Sequence, residues 1–141
     1  MKNYAIIGLV LISASAFAQK IDQSKVPAPA KAAFAKSFPA ATGVKWELEN
    51  KNYEAGFKEN GKHISAVYDA KGTWMETETA IAVTALPKAA AEYVASHYKG
   101  AKIKETAEIK KANGDINYEA EVNGKDVIFD SKGNFLKEQK G

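Results

Sequence analysis

Residues 68–78 read YDAKGTWMETE, and residues 129–139 read FDSKGNFLKEQ. Each phrase runs aromatic, Asp, small residue, Lys, Gly, and then resumes a strand-like alternation. Asp69-Ala70-Lys71-Gly72 and Asp130-Ser131-Lys132-Gly133 have the chemistry of a type I turn closed by a left-handed glycine. Each phrase is therefore a hairpin: a strand end, a three-residue loop and the next strand. The Asp that opens such a turn bonds the backbone ahead of it. Neither Asp69 nor Asp130 starts a calcium loop, because spaced carboxylates are missing and Lys stands where a ligand would sit.

Outward from these hairpins, a whole unit recurs. Val26-Pro27 and Leu86-Pro87 open two alanine-rich segments, PAPAKAAFAKSF and PKAAAEYVASHY. Tyr53-Glu54-Ala55 returns as Tyr118-Glu119-Ala120, and Asn60-Gly61-Lys62 as Asn123-Gly124-Lys125. The spacing drifts between 60 and 65 residues. It is read as paired changes in hairpin arms, which keep every side chain on its own face.

Each unit begins with a helix. Val26, Ala30, Phe34 and Phe38, with Ala33 beside them, form one apolar stripe; Leu86, Ala90, Tyr93, Val94 and Tyr98 repeat it. Pro27 and Pro87 suit the first turn, and Pro39 and Gly100 close the helices. Four strands follow, in the first unit over 43–49, 52–59, 62–69 and 73–80. Asn60-Gly61, Asn113-Gly114 and Asn123-Gly124 signal two-residue turns with positive φ, and Asn50-Lys51 is read as another tight turn.

These turns set the faces. Trp46, Leu48, Tyr53, Phe57, Ile64, Tyr68 and Trp74 fall on one side in the first unit. Ile103, Ala107, Ile109, Tyr118, Val127, Phe129 and Phe135 fall there in the second. That side is the seat for the helices. The other side carries Glu47, Glu54, His63, Thr77, Thr106, Glu108, Glu119, Glu121 and Glu138. It is predicted to be wet, interrupted by Val67 with Met75 and Ile128 with Leu136. The reading requires Trp74 and Tyr118 to be covered and Glu54 and Glu119 to be solvated.

The predicted fold class is α+β: two tandem repeats, each a helix plus a four-stranded antiparallel meander. Units of this size bury a marginal core alone. Together they are predicted to form one eight-stranded sheet with two helices on one face. The expected layout is a signal peptide at 1–18, an N-terminal tail at 19–25, repeat 1 at 26–81, a linker at 82–85 and repeat 2 at 86–141.

The signal reading rests on Lys2, the apolar run Ala5 to Ile12 and the small residues Ser13 to Ala18, with cleavage after Ala18. The run is too short to span a bilayer comfortably, so no stable membrane insertion of the mature chain is expected. The location expected is periplasmic or secreted. With no cysteine in the chain, disulfides, thiol catalysis, cysteine zinc sites and lipid attachment at a cysteine are all excluded.

All 20 basic residues are Lys, against 17 Asp and Glu, for a formal charge of +3. Nucleic acid is not an expected partner, because basic clusters and Arg forks are absent. His63 and His97 read as ordinary surface or boundary residues, and no H-E-x-x-H pattern exists. There is no nucleophile elbow and no phosphate cradle before a helix. The expectation is no enzyme, no cofactor and no metal.

The segments VPAPAKAAFAKSFPAATGVKWE, NYEAGFKENGK, YDAKGTWMETE, LPKAAAEYV and INYEAEVNGKDVIFDSKGNFLKE carry a resemblance. They are similar to the PepSY-like, β-lactamase-inhibitor-like family of small exported bacterial proteins, over residues 26–139. The resemblance implies the tandem fold. The family takes its name from structural similarity to an inhibitor that grips its target enzyme with a concave sheet, and it implies no catalytic motif here.

The function expected is an exported, non-catalytic binding module. It would dock a protein or peptide of the cell envelope on the open face of its sheet, in an inhibitor-like manner. Val67, Met75, Ile128 and Leu136 are the expected apolar anchors, and Glu47, Glu54, Glu119 and Glu121 the polar rim. Two alternatives stand: an envelope structural or stress protein that self-associates through a sheet edge, or a small-ligand carrier with a pocket between helices and sheet.

Overall fold

A computed structural model describes residues 18–141. The segment read as a signal lies outside the described residues, apart from Ala18. Nine strands form one antiparallel sheet in simple sequence order. They are β1 (Gln19–Ile21), β2 (Thr42–Glu49), β3 (Asn52–Glu59), β4 (Lys62–Tyr68), β5 (Trp74–Ala80), β6 (Ile103–Lys111), β7 (Ile116–Val122), β8 (Lys125–Phe129) and β9 (Phe135–Lys140). Helices α1 (Ala28–Ser37) and α2 (Lys88–His97) precede β2 and β6.

The eight repeat strands form one sheet, as expected from the meander pattern. The ninth, β1, comes from the segment read as a tail. It pairs Ile21 with Trp46 on β2. Sixty residues on, Ile81 donates its N–H to the Thr106 carbonyl on β6 at 3.0 Å. So β1 does for the first unit what the end of β5 does for the second. The short 3-10 turns Gln23–Lys25 and Val83–Ala85 then lead into the two helices. Residues 82–85 are therefore the second copy of a structured lead-in. β5 belongs to both units, closing one and opening the next.

Register places both helices on the same face. Ala66 lies opposite Thr77, Thr77 opposite Lys110 and Lys110 opposite Ile116, so these share one side of the sheet. On that side Val26, Ala30 and Phe34 pack with Trp46, Ala55, Phe57, Ala66 and Tyr68. Leu86, Ala90 and Val94 pack with Ala120, Val122, Val127 and Phe129. The four-apart stripes are thus the buried stripes. In the first unit Phe34 meets Trp46 edge-on at 5.3 Å and Phe57 at 5.0 Å, geometries aromatic pairs prefer. The second unit has Val94 at the place of Phe34, so its core is built more from aliphatic side chains.

The repeated phrase also docks the sheet on the helices. Asp69 accepts from the Lys71 and Thr73 N–H groups at 2.9 and 2.8 Å; Asp130 does the same with Lys132 and Asn134 at 2.9 Å each. Both aspartates organise turns, as their positions predict. Gly72 and Gly133 have φ of +81° and +88°. A Cβ on Gly72 would lie 2.5 Å from the Pro29 carbonyl oxygen, and one on Gly133 would lie 2.7 Å from the Ala90 nitrogen. Each turn therefore seats against the first turn of a helix, and glycine is needed there twice over.

Three differences from the sequence reading share one cause, a single extra residue that reverses faces. Asn60-Gly61, Asn123-Gly124 and Asn50-Lys51 do have positive φ at both positions. Asn113-Gly114 does not. Lys111 donates to the Asp115 carbonyl at 2.9 Å across a three-residue loop whose left-handed residue is Gly114. Ile109 consequently faces Asn117 rather than Tyr118. Ala107 and Ile109 move to the open face, and Thr106 and Glu108 move to the helix face. A bulge at Met75 places Thr77 opposite Ala66, on the helix face. Its counterpart at Leu136 places Glu138 opposite Val127, where Glu138 accepts from the Tyr98 hydroxyl and from Lys125.

Candidate functional site: an acidic groove on the open face

No described element covers the face away from the helices, and that face was expected to be wet. Its centre is not. Glu54 is 5% exposed, Glu78 4%, Glu119 4%, Glu121 5% and Asp126 0%. A flat, uncovered sheet would leave these side chains in water, so the sheet curls around them on this side. A twisted antiparallel sheet of this many strands curls readily, and its bulges add to the bend. The requirement that Glu54 and Glu119 be solvated fails, and Trp74, at 37%, is more exposed than predicted. Trp74 still lies opposite Tyr68, and its Nε1–H donates to Thr77 at 2.8 Å.

The buried carboxylates come from equivalent places. Glu54 lies opposite Val67, and Glu119 opposite Ile128. Glu121 lies opposite Asp126, and Ser65 opposite Glu78. Partners are few. Lys104 reaches Glu121 at 2.9 Å. Oε1 of Glu54, Oε2 of Glu119, Oε2 of Glu121 and both oxygens of Asp126 are buried with no hydrogen-bond partner. Loss of water around an unpaired carboxylate favours its neutral form.

Burial pushes Glu54 up to about 8; the neighbouring Ser65 hydroxyl pulls it back, and Glu47, Glu49 and Glu76 add repulsion. Burial, then Asp126 and Glu121, lifts Glu119 to about 8. Burial, then Glu121 and Glu105, lifts Asp126 to about 6. Glu78 is held well above the carboxylate range by burial and then by Glu119 and Glu54.

Part of this face opens as a groove of about 450 Å³. Glu54, Ser65, Glu76 and Glu78 form its floor, and Val67, Met75 and Ala112 supply apolar wall. Glu49 and Asn50 close one end, with Lys111 and Asn113 on the far side. The groove exists because the two units differ. The β6–β7 hairpin has longer arms and one more loop residue than the β2–β3 hairpin. Its tip reaches β5, where the Ala112 N–H donates to the Met75 carbonyl at 2.8 Å.

The eight residues singled out from sequence divide by depth. Met75 and Leu136 are exposed, at 41% and 51%. Val67 and Glu47 are half-buried. Ile128 is 2% exposed and supports Glu119 from the next strand. Glu54, Glu119 and Glu121 are buried in the face rather than set at its rim. The structure brings Val67, Met75 and Glu54 together in the groove and leaves Leu136 and Glu121 outside it. Sequence reasoning missed Glu76, Glu78 and Lys111. A count of the odd residue between the units, 60 apart before β6 and 65 apart after it, would have revealed the longer hairpin. His63 is half-buried, and His97 stacks on Tyr93 at 3.8 Å, away from the groove.

Comparison with known proteins fits this architecture. A protein from Bacteroides eggerthii, described as a putative periplasmic protein, is 19% identical with a TM-score of 0.74, over 82% of this chain and 88% of that chain. A DUF2874 family protein from Bacteroides uniformis is 22% identical with a TM-score of 0.71, over 81% and 88%. A protein from Bacteroides fragilis described as BLIP-like is 26% identical with a TM-score of 0.62, over 81% and 86%. The comparison with curated proteins gives no match. Among the described residues no helix is long and apolar enough to cross a membrane. Residues 14–64 and 51–137 match the family model described as "Putative beta-lactamase-inhibitor-like, PepSY-like", and across that span the chain belongs to this family.

Proposed function

We propose that this protein is an exported, non-catalytic binding module that docks a protein or peptide on the sheet face away from its helices. The observation that carries the reading is a face with no described element over it, holding buried carboxyl groups with unpartnered oxygens beside exposed Met75 and half-buried Val67. Unsatisfied buried polar groups are costly to fold around, so a face that retains them has something to gain from a partner. Glu47 and Leu136 would meet that partner at the edges, while Ile128, Glu119 and Glu121 shape the surface from below. Export after cleavage at Ala18, to the periplasm or the outside, is supported by the Lys2-to-Ala18 pattern and by a structural neighbour described as a putative periplasmic protein.

The test is site-specific photo-cross-linking in cells. A cross-linker replacing Val67 or Met75 is expected to capture a discrete partner, and one replacing Ala32 or Lys88 on the helices is not. Equal capture from both faces would sink the reading. Mass spectrometry of the same purified protein should find Gln19 at its N-terminus.

A further inference from the structure

We propose that the groove between the β2–β3 turn and the β6–β7 hairpin receives a lysine side chain presented by the docked protein, its ammonium against Glu54 and Glu78 and its aliphatic stem along Val67 and Met75. This rests on the docking reading above and names what that partner must carry. The lining selects a cation: the carboxyl groups of Glu49, Glu54, Glu76 and Glu78 face a single ammonium, Lys111, and an arriving cation stabilises each one that ionises. Oε1 of Glu54 is buried in that lining without a partner. An ammonium donates three hydrogen bonds and accepts none, which suits the ionised carboxylates that its arrival favours.

The apolar wall selects an ammonium on a hydrocarbon stem, since lysine buries its methylenes while its head seeks polar contact. A bare metal ion is a poorer fit, because among the described residues no three His, Asp or Glu side chains are arranged to hold one. β9 is the edge strand, and among the described residues no hairpin lies beyond it to make an equivalent wall over the second unit, so one lysine per chain is expected.

Proton release supplies a second signature. Glu54 faces Glu47 and Glu49 of β2 and Glu76 of β5, and Glu78 faces Glu119 of β7 and Asp126 of β8. Lys111 of β6 and Lys137 of β9 oppose them at Glu76. With Glu54 protonated over much of its population near neutrality, an arriving ammonium favours the ionised form and expels a proton. Binding should therefore tighten as pH rises from 6 to 8.

The probe is acetyl-Ala-Lys-Ala-amide, titrated into isotopically labelled protein by NMR beside its norleucine counterpart. Shifts are expected at the amides of Glu54, Val67 and Glu78, with the norleucine peptide weaker by about tenfold or more. The double variant E54Q/E78Q, which keeps shape and removes the two groups that ionise against the ammonium, should lose that preference. Equal titration by both peptides, a preference unchanged in the double variant, or shifts confined to other surfaces would overturn the proposal. A partner cross-linked at Val67 together with equal titration would sink the lysine assignment and leave the docking reading standing. Selective lysine binding with equal cross-linking from both faces would do the reverse.

Discussion

Glu54 and Glu119 occupy matching positions in the two units, and both carry a proton that an exposed glutamate would give up. The ordinary value is 4.5, and each is raised to about 8. Because the folded state holds these protons more tightly, the stability they contribute is complete below about pH 4.5. It is lost as pH climbs through 8. Asp126, raised from 3.8 to about 6, adds a loss over a lower window. Each shift in the two glutamates corresponds to a few kcal/mol, on the order of 1.4 kcal/mol per unit. Thermal melts are therefore expected to show a midpoint falling by roughly 10 °C or more between pH 5 and pH 8.5. E54Q/E119Q should flatten that slope, leaving the part carried by Glu78 and Asp126, and melt higher at pH 8. A midpoint that stays level or rises with pH would refute the buried, unpartnered state of these side chains.

Among the elements, the two Asp-Xaa-Lys-Gly hairpins join sheet to helix. Gly72 is held both by its positive φ and by the Pro29 carbonyl at 2.5 Å from a would-be Cβ. Gly61 has φ of +75° but open space around it. Gly72→Ala should cost about 3 kcal/mol, combining left-handed strain with a backbone clash, and Gly61→Ala about 1 kcal/mol from strain alone. Urea unfolding of the two variants reads the difference directly, and similar midpoints would mean that the turn is not seated on α1. The turn type and the Asp bonds are local, so residues 69–72 and 130–133 disclosed them. The seating on Pro29 and Ala90 is a contact across the fold, and nothing in the phrase itself announces it.

At the scale of the molecule, β5 ties the halves into one unit. It pairs with β4 through Ser65–Glu78 and with β6 through Glu78–Ile109. Neither half can keep all its strands without the other, and each alone approaches the size where a core is marginal. Both tryptophans, Trp46 and Trp74, lie in the first unit, so fluorescence follows that half while far-UV circular dichroism follows both. The two signals are expected to coincide through a urea transition. Fluorescence changing ahead of circular dichroism would show that the units unfold separately.

The sequence by itself determined the elements: duplicated helices from four-apart apolar stripes, strands from alternation, and most turns from Asn-Gly and Asp-Xaa-Lys-Gly chemistry. These signals are local, set by backbone geometry within a few residues. Of the site, it disclosed Glu54, Val67 and Met75 as neighbours across adjacent strands, and it took their face to be wet. Only the tertiary structure decided the curl that buries the carboxylates, the added first strand and the reversed face of β6. Curl accumulates over nine strands, and strand parity turns on one residue in a distant loop. Such effects are sums over the whole sheet, which no short stretch of residues contains.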